Sequence, residues 1–214
     1  MNGVTFGTNH SYKDFGLILS YKTIGVAEPK TGTVDIPGAD GELDYTESLG
    51  DVKFKNRTLT FEFSTITNPK EFLSLYSHLQ NNLNGKRMRI TLDDDSEFYY
   101  IGRVKVNEWA SNSRIGKIVI DVNAEPYKLK NNITVISQII SETTAFNCSN
   151  LRKRVVPKIT ASAEVKVVYG GYSVMFSGER TDDEIVFNEG QNALIITPTN
   201  PGTAVSIEYQ EGGL

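Results

Sequence analysis

Residues 28–51 limit what this chain can become more than any other stretch. They carry Glu28, Asp35, Asp40, Glu42, Asp44, Glu47 and Asp51 against a single base, Lys30. The stretch is rich in glycine and short of large apolar side chains, so alone it cannot bury enough surface to offset the entropy of ordering. A segment of this length without a core is uncommon in a compact domain, and is usually functional or held by a partner. Directly after it, residues 52–64 alternate: Phe54, Leu59, Phe61 and Phe63 interleave with Lys53, Lys55, Arg57 and Glu62. Such alternation marks a long half-buried strand or hairpin arm. The expectation is an arm over 28–51 that orders against something else.

The distribution of charge points the same way. The chain carries a net charge of −4. The arm holds more negative charge than that by itself, so the rest of the chain is slightly positive. A global basic footprint for nucleic acid is absent. Cys148 is alone, which rules out an intrachain disulfide and fits a small buried apolar residue. No apolar run approaches the roughly 20 residues of a membrane helix. Residues 1–11 lack the basic and apolar regions of a signal peptide. The expectation is a chain that makes no membrane passage of its own.

The length of 214 residues allows one large domain or two ordinary ones, and the wealth of Thr, Val, Ile, Tyr and Phe favours strands. Residues 2–27 read as a short N-terminal strand pair built on Val4 and Phe6, then Leu17, Leu19 and Tyr21. One helix stands out: Asn68 is a good N-cap, Pro69 fits the first helical position, and Glu71 has capping-box spacing. Phe72, Tyr76, Leu79 and Leu83 form its apolar stripe, broadened by Leu73 and Leu75. Strands over 86–92, 98–106 and 115–122 follow at hairpin spacing, hence antiparallel. Residues 124–130 (AEPYKLK) break the pattern. Beyond them, strands are expected over 133–140, 155–161, 165–169, 172–177, 184–187, 193–197 and 204–209, the spacing of a small sandwich.

No arrangement of residues reads as an active site. Asp93–Asp95 and Asp182–Glu184 are expected to be solvated turns, since neither has the glycine and terminal glutamate of a calcium loop. The acid pairs of the arm lack the rigidity and burial that glycosidase chemistry requires. His10 and His78 have no metal-ligand spacing around them, and no phosphate-binding or nucleophile-elbow motif is present. Neither cofactor nor metal is expected, and no enzymatic activity. The cluster Arg152, Lys153 and Arg154 is too small for nucleic acid and reads as a solvated or docking loop. Trp109 is expected in a core or subunit contact. Tyr169, Tyr172 and Tyr209 are the candidates for a glycan-stacking platform.

The order of short N-terminal strands, the run D-I-P-G-A-D-G-E-L-D-Y-T-E-S-L-G, and a basic-aromatic strand ending F-E-F resembles the distal tail proteins of long non-contractile-tailed (siphovirus) bacteriophages. Pro37, Gly38, Asp40, Gly41, Asp44, Thr46, Glu47 and Gly50 match that family's P-G-x-D-G-x-x-D-x-[ST]-E-x-x-G-like signature. The A-E-P-Y stretch at 124–127 matches its exit into a second domain. The resemblance covers residues 1–130; over 131–214 it rests on strand spacing. It implies a mainly β protein. An N-terminal antiparallel β-sandwich or barrel-like domain with one packed helix (1–130, related to tail-tube proteins) would precede a C-terminal galectin-like, jelly-roll β-sandwich (131–214).

It further implies a structural virion protein, assembled in the host cytoplasm into a hexameric homo-oligomeric ring at the tail tip. The ring would join the tail tube protein to tail-tip or tail-associated proteins and a receptor-binding protein, with DNA passing through unbound. The arm would then be the subunit contact, through Val34, Ile36, Pro37, Gly38, Asp40, Gly41, Leu43, Asp44, Tyr45, Glu47 and Leu49. Lys53, Lys55, Arg57, Lys86, Arg87 and Arg89 are the candidate partners for its acids. The alternative function is a carbohydrate-binding tail adhesin, recognising host glycan through its C-terminal domain.

Overall fold

The computed structural model describes residues 2–48, 50–66, 68–111 and 115–214. The chain is mainly β and antiparallel, with one α-helix among the described residues. It divides into two compact units, residues 1–126 and 127–214.

The first unit comprises β1 (Val4–Phe6), β2 (Asn9–His10), β3 (Ile18–Ile24), β4 (Thr33–Asp35), β5 (Glu42–Asp44), β6 (Arg57–Ile66), α1 (Pro69–Asn82), β7 (Arg87–Leu92), β8 (Phe98–Ser111) and β9 (Ile115–Ala124). Its main sheet runs β2-β1-β7-β8-β9-β6-β3. In a flat sheet with ~4.8 Å between strands, β1 and β6 would stand about 19 Å apart. Yet the ring of Phe6 in β1 lies 5.9 Å from Phe61 and 6.2 Å from Phe63, both in β6. The sheet therefore rolls up, barrel-like, around its own aromatic face. Val4, Leu59, Ile90, Val104, Ile118, Ile120 and Val122 fill the interior with these rings.

Helix α1 covers this core as its sequence pattern predicts. The Asn68 side chain accepts the Glu71 N–H at 3.0 Å, and Phe72, Leu79 and Leu83 are buried. Leu73 is 51% exposed, so the apolar stripe is narrower than the sequence indicates. The long β8–β9 hairpin grips the helix: Trp109 stacks on Phe72 at 5.6 Å and on Tyr76 at 5.4 Å. Gly116 makes room for that grip, because a Cβ there would come within 2.1 Å of the Phe72 ring.

Three local expectations are corrected. The strand after the arm begins at Arg57, not at residue 52, because Phe54 and Leu59 differ in parity and cannot share a face of one pleat. Phe54 instead forms an isolated bridge with Pro29. The strand around Val4 and Phe6 does not pair with the one around Leu19 and Tyr21: β1 pairs with β2 and β7, and β3 pairs with β6. The aspartates after β7 are not simply solvated. Asp94 forms an ion pair with Lys22 of β3, while Asp93 accepts the Gly3 N–H at 2.8 Å and faces His10 Nε2 at 3.1 Å. His10 Nδ1 accepts the backbone N–H groups of Tyr12 and Lys13 at 3.1 and 3.2 Å, which leaves its proton on Nε2, aimed at Asp93.

The second unit comprises β10 (Lys128–Lys130), β11 (Thr134–Ile140), β12 (Thr144–Asn150), β13 (Lys158–Tyr169), β14 (Tyr172–Thr181), β15 (Gly190–Pro198), β16 (Thr203–Tyr209) and β17 (Gly212–Gly213). The order is β11-β16-β13-β15-β12, with β14 on the other edge of β13, and β10 paired to β17. The first half of β13 pairs with β16 and the second half with β15, on either side of a bulge after Ala161. Straight, the strand would extend ~40 Å. Yet Phe187 contacts both Tyr169, at the far end of β13 (6.0 Å), and Tyr209, at the opposite end of β16 (5.1 Å). The sheet is thus creased across its strands and folded in half as a sandwich, with bulge and bend turning the corner. Cys148, Val165, Val167, Leu194, Ile196 and Ile207 pack inside.

Here the expected strands 155–161 and 165–169 are one bulged strand. The expected strand 184–187 is a core-plugging loop with a single bridge, Val155 to Phe187. β12 is an additional strand, whose small and polar outward residues conceal the inward alternation of Phe146 and Cys148.

Two consequences are measurable. Gly116→Ala should lower stability by about 1–3 kcal/mol, the usual cost of overpacking, read as a reduced urea midpoint with unchanged slope. The Asp93 carboxyl is pushed up by burial. That effect is outweighed by the His10 and Gly3 hydrogen bonds and the positive charge of Lys13, so it titrates below the usual carboxylate range. A depressed folded-state pKa gives stability that is present above the unfolded value, about 4, and lost as pH falls through the folded value. Asp93→Asn should therefore destabilise the protein at neutral pH and flatten its acid-unfolding curve below about pH 4.

Candidate functional site

The acidic arm is not a single extended segment but a hairpin that pairs with itself. β4 and β5 run antiparallel, with Thr33 opposite Asp44, Val34 opposite Leu43 and Asp35 opposite Glu42. The root is closed by the Pro29–Phe54 bridge and by backbone bonds from Lys30 N to Lys53 O (2.7 Å) and Lys55 N to Glu28 O (2.8 Å). At the tip, Ala39 N donates to Ile36 O. Gly38 and Gly41 take φ of +85° and +77°, which explains glycine at both positions. Pro37 and Asp40 lie exposed in this turn.

Behind β5, Asp44 Oδ1 accepts the Thr46 N–H at 2.8 Å. Hydrogen bonds from the Thr46 side chain and then its backbone hold the Asp44 carboxyl below the usual range. Tyr45 lies against Gly32, whose missing Cβ would sit 2.6 Å from the ring. Glu47 O accepts Gly50 N in the turn that follows, and Leu49 lies outside the described residues.

The pleat gives this hairpin two unlike faces. Val34 and Leu43 share one face, while Asp35, Glu42 and Asp44 share the other with Thr33. Val34, Ile36, Leu43 and Tyr45 are all about half exposed. Asp35 directly opposes Glu42, a like-charge pairing that weakens a hairpin. A two-stranded hairpin is marginal in water even without such a pair. The arm as folded displays apolar surface and crowded negative charge, both of which a partner would relieve.

The basic candidates fall into different environments. Arg57 is only 7% exposed; its guanidinium donates to the Pro126 carbonyl and lies over the Tyr100 ring, so it is a core residue and not a surface partner for the arm. Lys55 pairs with Glu28 at 3.2 Å, and Arg87 with Glu125. Arg89 stacks over Tyr99 at 3.8 Å. Lys53 and Lys86 are exposed. Arg87 also lines an open concavity of about 750 Å³ on the sheet face opposite the core, together with Asn56, Arg103, Lys105, Asp121 and Asn123.

The three tyrosines do not make a platform. Tyr209 is 4% exposed, its hydroxyl donates to Ser149 O at 2.6 Å, and burial pushes its pKa up to about 12. Tyr169 donates to Val186 O and Asn192 Oδ1, both at 2.8 Å, and Tyr172 to Asp182 at 3.0 Å. Asp182 also holds Arg180 at 2.7 Å, so this turn is an organised network where the sequence indicated a solvated one. Burial raises the Cys148 thiol to about 11, consistent with an inert core residue. Among the described residues no cluster of His, Cys, Asp and Glu is arranged to hold a metal ion, and no helix is long and apolar enough to cross a membrane.

No protein-family model matches the sequence, and no curated protein matches it. The fold does match a solved structure. The chain is similar to the crystal structure of SPP1 Dit (gp 19.1), a paradigm of the hub adsorption apparatus in phages infecting Gram-positive bacteria, with a TM-score of 0.74 over 100% of both chains. Sequence identity is 14%, so the likeness is one of fold. Over its whole length, this chain has the fold of a siphophage distal tail protein.

Proposed function

We propose that this chain is a structural virion protein of the phage tail tip, a hub ring that joins the tail tube to the tail-tip or baseplate proteins and the receptor-binding apparatus. Residues 1–130 form the ring, six copies around a channel through which DNA passes without specific binding. Residues 131–214 form an outer domain directed towards the adhesion components. Assembly takes place in the host cytoplasm, and no catalysis is involved. The observation that carries this reading is the arm: a two-faced hairpin with exposed apolar residues and opposed acids, on a chain with a distal tail protein fold.

A ring needs a heterologous contact, in which one face of each subunit meets a different face of the next. A projecting hairpin supplies such a face. Exposed ion pairs contribute ~0–1 kcal/mol each, whereas a large apolar side chain taken fully out of water contributes about 1.5–3 kcal/mol. Val34, Ile36, Leu43 and Tyr45 therefore dominate the contact, and the acids set its orientation. Of the partners considered for those acids Arg57 is buried, while Lys53, Lys55, Lys86, Arg87 and Arg89 are exposed, Lys55 and Arg87 within ion pairs to Glu28 and Glu125. The adhesin alternative draws no support from Tyr169, Tyr172 and Tyr209, whose hydroxyls are held within the second unit.

Replacing residues 33–50 by a short Gly/Ser linker should leave a folded protein that no longer runs at the mass of the ring. Changing Asp35, Asp40, Glu42 and Asp44 to their amides should weaken the ring only modestly and flatten its salt dependence. Retention of the full oligomeric mass after the deletion would sink the assignment of the arm to the ring contact.

A further inference from the structure

The second unit leaves one edge unguarded. β11 is the terminal strand of its sheet and is hydrogen-bonded on one side only, to β16, in an unbroken register from Thr134–Tyr209 to Ile140–Thr203. Natural edge strands are protected against further pairing by charge, proline, a bulge or brevity. β3 has a bulge and Lys22, β2 has two residues, and β14 has Gly178 at φ +81° with Glu179 and Arg180 beside it. β12, the opposite edge, also lacks these devices, but it turns the small or polar Ala145, Asn147 and Ser149 outward and so offers no aliphatic surface. The seven residues of β11, TVISQII, have none of these devices. On the outward face Val135 is 55% and Ile139 71% exposed, with Ile133 exposed just before the strand.

The sequence of this edge is complementary to itself. If a second copy is laid antiparallel about Ser137, Val135 faces Ile139 of the other copy on the outward side, and Ser137 faces its own counterpart. On the inward side Ile136 faces Gln138 and Thr134 faces Ile140. No charge opposes a like charge, and the two exposed aliphatic residues of each strand cover those of the other. A two-fold contact must be self-complementary in this way.

We propose that β11 is an isologous docking edge for a second copy of this chain, joining the two second units into one continuous antiparallel sheet about a two-fold axis at Ser137. This contact is separate from the arm and does not rest on the ring reading. It links subunits in pairs whatever the arm does.

The edge can be tested by cross-linking the full chain. Opposed residues of an antiparallel pair have Cα atoms ~4.5–5.5 Å apart, within the span of a disulfide. Ser137→Cys should therefore oxidise to a species of twice the chain mass on a non-reducing denaturing gel; Cys148, buried and with its thiol raised to about 11, does not compete. Adding Val135→Lys with Ile139→Lys places lysine against lysine across the axis and should abolish the cross-link. Adding Val135→Glu with Ile139→Lys places opposite charges face to face and should restore it. A Ser137→Cys protein that stays at single-chain mass overturns the proposal, as does equal cross-linking of the double-lysine variant. Cross-linking only to a different virion protein would assign the edge to that partner and overturn it equally.

Discussion

The edge-on meeting of Phe6 with Phe61 and Phe63 closes the first unit, and the rest of that unit depends on it. A seven-stranded antiparallel sheet has two faces, and one helix of 14 residues can cover only part of one. Rolling the sheet until β1 faces β6 lets its own aromatic residues complete the core that a second layer would otherwise supply. One polar contact at the rim follows from this closure: Asp94 reaches Lys22 because the roll brings the turn after β7 alongside β3, whereas Asp93 reaches Gly3 and His10 because β1 is the direct neighbour of β7.

The second unit solves the same problem by folding across its strands instead of rolling along them. Phe187 takes the central place, held between rings from opposite ends of the sheet. In both units the core is made from residues close to their own sheet. Large apolar residues outside those cores are exposed singly at Tyr21, Val26, Leu73 and Met175, and gather on the arm hairpin and the β11 edge.

The arm shows how pleat geometry converts a composition into a surface. Its acids and its aliphatic residues are interspersed in sequence, and pairing of β4 with β5 sorts them onto opposite faces. The Asp35–Glu42 opposition works against the hairpin, and little beneath it compensates. The result is a two-faced acidic projection, apolar on one side and charged on the other.

Local patterns were legible in the sequence because they depend on near neighbours. The capped helix, the alternation of β6, β7 and β9, the burial of Cys148 and the exposed acidic segment all follow from periodicity, capping chemistry and charge. What is set by distant pairing was not legible. β1 meets β7 across more than eighty residues, and the crease that folds the second sheet is a bulge whose position shows only in the register. The same limit applied to single side chains. Arg57 read as a surface cation and Tyr209 as an exposed ring, since polarity and aromaticity say nothing of which face of a strand lies inside once the sheet has closed. The sequence by itself determined the helix, the acidic arm and most of the strands. Only the tertiary structure decided which faces turn inward, because roll and crease arise from contacts between residues far apart in the chain.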